Sequence, residues 1–312
     1  MNFDHLKVFY VAATKRNFSE TAKALHLSQP TVSLQIQQLE AYLEVKLFER
    51  TTKNIRLTDS GQLLFQNAER ILHLVNQTKK ELALLSESIH GSLNIGASLT
   101  IGEYILPYMI GKYQKEYPKV NLSLNIYNST QIIQQLRYEE IDLGFIESSI
   151  SHPELVHLPF LEDELILIGS TKNPHPMIRD RESITPDELF SLPLILREHG
   201  SGTRQVMEES LLKNQLDPSK LNIILELGST ESIKATVESG MGLSIISKSA
   251  IQKELMLGSL RPIRLQGISL LRSFVAVFDR NRLLSVPADA FLEFLLKQYN
   301  MVAPSNVTRK LG

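Results

Sequence analysis

Hydroxyls and glycines gather at four places where an apolar run of this chain gives way to a helical pattern. They are Ala97-Ser98-Leu99-Thr100-Ile101-Gly102, Asn128-Ser129-Thr130, Arg197-Glu198-His199-Gly200-Ser201-Gly202-Thr203-Arg204 and Gly228-Ser229-Thr230-Glu231. A helix start leaves backbone N–H groups without intrahelical acceptors, and adjacent Ser and Thr add donors, so such segments can hold a small anion. One alone is an ordinary N-cap. Four together can line one cleft. Glu147 follows the apolar run Ile141–Ile146 and is expected to face that cleft or to pair with an Arg at its rim. Glu198 and Arg204 read either as such a pair or as a ligand clamp.

A second chemistry lies in the stretch Asn17–Leu43. It reads as two short helices and a tight turn, with Phe18-Ser19 as N′ and N-cap and Ser28 capping a helix that carries Pro30 in its first turn. Val32, Ile36, Leu39 and Leu43 form one buried stripe. Pro30, Leu34, Gln37 and Ala41 point the opposite way, flanked by Thr31, Ser33 and Gln38. An uncharged face of donors and acceptors suits base edges in a major groove. Just beyond it, Arg50, Lys53 and Arg56 flank a turn at Lys53-Asn54 and can neutralise phosphates from a two-stranded wing.

Catalytic chemistry finds little support. Gly200-Ser201-Gly202 lacks the Gly-x-Ser-x-Gly elbow of a hydrolase, and neither HExxH nor a Walker A loop occurs. The eight histidines are dispersed, no metal-ligand spacing is apparent, and the absence of cysteine removes disulfides, thiolate zinc sites and thiol nucleophiles. A hydrolase or a secreted solute-binding protein is therefore the weaker reading. Formal net charge is −1, so a nucleic-acid contact must come from a local patch. MNFDHLKVF lacks the apolar core of a signal peptide, and no run approaches the ~18 apolar residues of a membrane span. The expected compartment is the cytoplasm, with no membrane partner.

The elements that must position these groups are legible from periodicity. Residues 2–15 form a first helix with Phe3, Leu6, Phe9 (or Tyr10) and Ala13 on one face. Over residues 59–89, Leu64, Ala68, Ile71, Val75, Thr78, Leu82, Leu85 and Ile89 alternate spacings of four and three. Such a heptad seam predicts a long dimerising helix. From Ser92 strands alternate with helices: strands at 93–97, 120–127, 141–146, 194–197, 223–227, 243–246, 261–265 and 273–278. Helices are expected at 103–117, 131–139, 203–214, 231–239, 248–255 and 286–299. This implies a mostly parallel sheet in two subdomains.

Phe18-Ser19, Ala22, Leu25, Ser28-Gln29-Pro30-Thr31-Val32-Ser33, Ile36, Leu39-Glu40, Leu47-Phe48, Arg50, Leu57-Thr58 and Gly61 together resemble the winged helix-turn-helix of LysR-type transcriptional regulators. The long helix resembles that family's linker, and the remainder its periplasmic-binding-protein-like effector domain. The resemblance implies an N-terminal winged helix-turn-helix (1–58), a linker helix (59–90), and an α/β effector domain (91–300). The last divides into subdomain I (91–165 and 267–300) and subdomain II (166–266), and 301–312 is a tail. It assigns DNA contacts to Ser28, Gln29, Pro30, Thr31, Ser33, Gln37, Arg50, Lys53 and Arg56. Lys53 stands where the family commonly has Arg, a better bidentate donor. Effector contacts fall on Ser98, Leu99, Thr100, Thr130, Glu147, Ser201, Gly202, Thr203 and Thr230. The dimer interface takes Leu64, Ala68, Ile71, Val75, Leu82 and Leu85. Further implications are a homodimer pairing into a homotetramer, double-stranded operator DNA as partner, RNA polymerase if the output is activation, and neither cofactor nor metal. GASLTIG with REHGSGTR is most similar to the branch governing sulfur assimilation and cysteine synthesis, whose effectors are sulfur oxyanions or O-acetylserine. Related segments occur in branches controlling carbon fixation and amino-acid metabolism.

Overall fold

A computed structural model describes residues 2–50, 55–85, 89–147, 152–280, 282 and 284–299, with the side chains of 50, 80 and 83–85 excepted. The expectations for Lys53 and its turn, for the Arg50 and Leu85 side chains and for the tail from 301 fall outside that range. The chain divides into two compact units at Ile89/His90.

The first unit is built from α1 (Phe3–Lys15), α2 (Phe18–Ala24), α3 (Gln29–Leu43), the strands β1 (Phe48–Arg50) and β2 (Ile55–Leu57), and α4 (Asp59–Leu85). Asn17, rather than Ser19, caps α2: its Oδ1 accepts from Ser19 N at 2.9 Å and Glu20 N at 3.1 Å. The reason is packing. Phe18 is buried edge-on against Phe48, with centroids 5.5 Å apart, which draws it into the first helical turn. Ser28 caps α3 as expected, with Oγ accepting from Thr31 N at 3.2 Å. Leu6, Phe9, Val32, Ile36, Leu39 and Leu47 are fully enclosed, whereas Phe3 is exposed. β1 and β2 pair antiparallel as the expected wing.

The long helix belongs to this unit's core over its first half. Ala68 is fully buried and Leu72 nearly so, with Leu64, Phe65 and Ile71 packed beside them, and Phe65 stacks on Tyr10 at 5.2 Å. A Cβ on Gly61 would lie 2.1 Å from the Leu47 carbonyl oxygen, so no larger residue fits there. Ala68 is thus taken by its own unit and is not open to a partner chain. The exposed apolar side chains of this helix are Leu63 and Leu74, outside the heptad, and Leu82, within it, all more than half exposed.

The second unit opens with β3 (Gly91–Ala97), a π-helical turn at Ile101–Ile105, α5 (Leu106–Glu116), β4 (Val120–Ile126), α6 (Ser129–Arg137) and β5 (Leu143–Ile146). β3 pairs parallel with both β4 and β5. Then comes β6 (Leu155–Ser170), a strand that periodicity did not mark. Pro159 and the acidic run Glu162-Asp163-Glu164 mask it. Pro159 lies opposite Val275, at the register shift of the partner strand, where a missing N–H does least harm. After β7 (Ser183–Ile184) and α7 (Pro186–Leu189) follow β8 (Leu194–Arg197), α8 (Gly202–Lys213), β9 (Ile223–Leu227) and α9 (Thr230–Glu238). The chain ends through β10 (Ser244–Ser247), α10 (Gln252–Leu257), β11 (Leu260–Leu265), β12 (Leu270–Asp279) and α11 (Val286–Gln298).

The expected mostly parallel sheet is in fact mixed. β12 runs antiparallel to both β5 and β6, and β6 runs antiparallel to β10 and β11. The two long strands serve two cores. Leu155 and Val277 pack with Ile132, Ile133, Leu136, Ile141 and Ile146, while Leu165, Leu167 and Leu270 pack with Leu194, Leu196, Met207 and Leu243. One lobe therefore passes into the other along a continuous β6–β12 ladder.

Candidate functional site

In the first unit, α3 presents its N-terminal turns outward. Gln29 and Pro30 are exposed and Thr31 and Ser33 half-exposed, with Gln37 exposed one turn on. Their polar groups are partly paired among themselves: Ser28 Oγ and Thr31 Oγ1 share a hydrogen bond of 2.7 Å, and Gln29 Nε2 donates to Ser33 Oγ at 3.0 Å. Beside them stands the wing, with Arg56 exposed on β2. Glu40 fixes the wing to the helix. Its carboxylate is 4% exposed and accepts from Leu47 N at 2.9 Å, Phe48 N at 3.3 Å and Lys46 Nζ at 2.8 Å. Burial alone would raise the Glu40 pKa, but the Lys46 ammonium and the two amides outweigh it and hold the group below its ordinary range.

In the second unit, two of the expected segments, at Thr100 and Thr203, converge on Glu147. This carboxylate is 3% exposed. Its Oε1 accepts from Thr100 N at 3.0 Å, and its Oε2 accepts from Thr203 Oγ1 at 2.8 Å and from Arg272 Nη1 at 2.7 Å. Ser98 adds a buried hydroxyl beside the carboxylate. Desolvation works to raise the Glu147 pKa, yet the Arg272 charge and the bonds from Thr203 and Thr100 prevail, so the group stays ionised below its ordinary range. Thr100 comes from the first lobe, Thr203 from the start of α8 in the second, and Arg272 from the ladder between them. Arg272 also donates from Nε to Asp163 Oδ2 at 2.8 Å, and Asp163 Oδ1 accepts from Ser247 Oγ and Ser249 Oγ at 2.8 and 2.9 Å.

Gly202 lets α8 approach this closely: a Cβ there would sit 3.2 Å from Glu147 Cβ and 3.3 Å from Ser129 Oγ. Ser201 caps α8 and is buried. Leu99 is half-buried in the same first segment. At the start of α9, Thr230 is buried, and the next residue, Glu231, accepts from Tyr104 Oη at 2.5 Å. Tyr104 lies in the π-helical turn, so this contact is a second bridge between the lobes. Burial, then the adjacent Glu231 charge, drives the Tyr104 pKa upward.

Three sequence-based expectations need correction. Thr130 is exposed, and Ser129, which precedes it, is the enclosed hydroxyl. Asn128 takes the α6 cap, so the helix begins two residues earlier than expected and turns Ser129 inward. The partner of Glu147 is Arg272, not an Arg from the rim. Arg204 instead donates to Glu208 and Glu226 at 2.6 and 2.8 Å, and Glu198 receives both its bonds from Arg197 at 2.8 Å. Arg272 and Asp163 were missed altogether. For Arg272 a signal exists: in Leu270–Phe278 it shares the buried period-two face with Phe274, Ala276 and Phe278. Three buried polar atoms here, Ser98 Oγ, Ser129 Oγ and Arg272 Nη2, have no hydrogen-bond partner. Among the described residues no group of His, Cys, Asp and Glu is arranged to hold a metal, and no helix is long and apolar enough to cross a membrane.

Comparison with known proteins places both units. Residues 3–62 match the bacterial regulatory helix-turn-helix protein, lysR family, and residues 86–300 match the LysR substrate binding domain. A "Probable RuBisCO transcriptional regulator" of Cyanophora paradoxa is 34% identical over all of this chain and 96% of its own length. The "HTH-type transcriptional regulator CysL" of Bacillus subtilis is 35% identical over 87% of this chain and 89% of its own. Among solved structures, the CcmR regulatory domain of Synechocystis PCC6803 in complex with 2-PG is 27% identical, with a TM-score of 0.61 over 67% of this chain and 98% of that one. Two family matches that between them run from residue 3 to residue 300, reader before effector domain, make this chain a member of the LysR family of transcriptional regulators.

Proposed function

We propose that this regulator senses a small anionic metabolite between the lobes of its second unit and converts it into altered operator binding by α3. The observation that carries the reading is the unused donor capacity beside Glu147. Ser129 Oγ and Arg272 Nη2 are buried without partners, and an unmade buried hydrogen bond costs about 1–3 kcal/mol. An anion entering there finds donors already desolvated, close to Thr100 N and the α8 start. Ligand acts only through different affinities for two lobe arrangements, so closure must be coupled to the bridges Glu147–Thr203 and Tyr104–Glu231.

The proposed assembly is a homodimer on α4, pairing into a homotetramer, bound in the cytoplasm to double-stranded operator DNA through Ser28, Gln29, Pro30, Thr31, Ser33, Gln37 and the basic wing. RNA polymerase joins if the output is activation. Relatives named for RuBisCO and for CysL stand at similar identity, so carbon fixation and sulfur metabolism supply equal candidates. The effector candidates are accordingly 2-phosphoglycolate, sulfur oxyanions and O-acetylserine.

Thermal unfolding of the full chain with each of these compounds tests the reading. Saturation at about one hundred times Kd adds roughly 2.7 kcal/mol, a rise on the order of 5–10 °C. Ser129→Ala sacrifices no internal side-chain bond and removes an unsatisfied hydroxyl, so it should keep or raise the ligand-free midpoint and lose most of the ligand-induced rise. A midpoint unmoved by every compound, or an equal rise in the variant, refutes the proposed site.

A further inference from the structure

We infer that Leu34 reads a thymine through its C5-methyl group and so sets operator preference at one base pair of each half-site. The inference rests on α3 being the element that enters the major groove. Leu34 lies on the side of α3 opposite Val32, Ile36 and Leu39, all of which are enclosed. It is 53% exposed, on the outward midline with Pro30, Gln37 and Ala41. That midline is apolar apart from Gln37. The polar groups nearest the α3 start are turned on one another, Ser28 with Thr31 and Gln29 with Ser33. A face that already consumes part of its own hydrogen-bonding capacity discriminates less through donors and acceptors than its composition implies.

An exposed leucine makes no hydrogen bond to any base edge and no ion pair with a phosphate. The one apolar feature of the major-groove edge is the thymine methyl. Leu34 lies in the second turn of α3, within the N-terminal part by which a recognition helix meets bases. Burying one methyl between Leu34 and its thymine contributes roughly 0.8 kcal/mol, which is about fourfold in affinity per half-site and about fifteenfold for a dimer on two.

The experiment removes that methyl and nothing else. Duplexes are selected from a random pool by the purified full chain, and each thymine of the selected site is replaced singly by deoxyuridine, which keeps pairing and groove acceptors intact. Wild type should show one position per half-site where the replacement weakens binding about fourfold. Leu34→Ala should bind less tightly and lose the sensitivity at that position while keeping its response elsewhere. Because Leu34 is exposed, the variant folds as the parent does. Identical deoxyuridine profiles for the two proteins would overturn the role of Leu34 and leave DNA reading by α3 intact. A pool from which no sequence is enriched would remove that reading and the inference with it.

Discussion

Replacing Arg272 by Met isolates what the buried charge cluster contributes. Its guanidinium gives Nε to Asp163 and Nη1 to Glu147 at 2.8 and 2.7 Å, and the three side chains are 1–3% exposed. Met fills a similar volume without charge, so the variant leaves two carboxylates enclosed with one cation removed. Breaking a buried pair from one side costs about 3–5 kcal/mol. The pH dependence gives the sharper test. In wild type the Glu147 pKa lies below its ordinary value of 4.5. Its contribution is therefore complete above that value and fades as pH falls through the lower, folded pKa. Without Arg272, the largest opposition to desolvation is gone and only the bonds from Thr203 and Thr100 remain against it, so the folded pKa should rise above the unfolded one and the sign reverse. Protonation then relieves the variant, and the deficit is largest at pH 7 and shrinks toward pH 5. Urea unfolding of the full chain, with the effector-domain transition followed by circular dichroism at both pH values, measures it. Glu147→Gln combined with Arg272→Met should recover part of the loss at pH 7. A deficit below about 1 kcal/mol, or one equal at the two pH values, would refute the view that Arg272 holds an ionised Glu147.

Glu40→Ala should leave the Leu47 and Phe48 amides without their acceptor and cost roughly 1–3 kcal/mol, seen as faster amide exchange at those residues and weaker operator binding. Because the Glu40 pKa is held below 4.5, the wild-type advantage should persist above that pH and fade below it. Leu82→Asp, on the exposed half of α4, should shift the chain toward monomer in sedimentation; retention of the dimer would place the interface elsewhere.

Local signals carried the first unit. A cap three residues from its amide, Pro at a helix start and an apolar stripe all act within one or two turns, and so α3 was legible from Ser28 to Leu43. Asn17 was displaced as a candidate cap because its claim depends on Phe18 meeting Phe48, a contact thirty residues away that periodicity cannot express. The same limit explains the second unit. Thr100, Thr203 and Glu147 were readable as polar residues at element ends, but Arg272, which completes the cluster around Glu147, lies on a strand whose neighbour, β6, was disguised by Pro159 and three acids. Asp163 carries no local signal of its role, because only the ladder places it opposite Arg272. Ala68 shows the converse, since a regular heptad hides which half of a helix is already occupied.

The continuous β6–β12 ladder has a consequence for how this protein can vary. Side chains on a strand alternate faces, so deleting one residue of β6 away from the register shift at Pro159–Leu161 would reverse every contact on one side of the deletion. Insertions elsewhere are absorbed by loops. Here only the register shift opposite Val275 can take one up, because both lobes grip the same two strands. Lineages of this fold can remodel the segments proposed to face the ligand, Ser98–Thr100, Ser129 and Ser201–Thr203, while the regular span of the ladder stays fixed in length. New effector preferences should therefore arise by substitution around a conserved residue count between Leu161 and Ser170, a constraint on length rather than on composition.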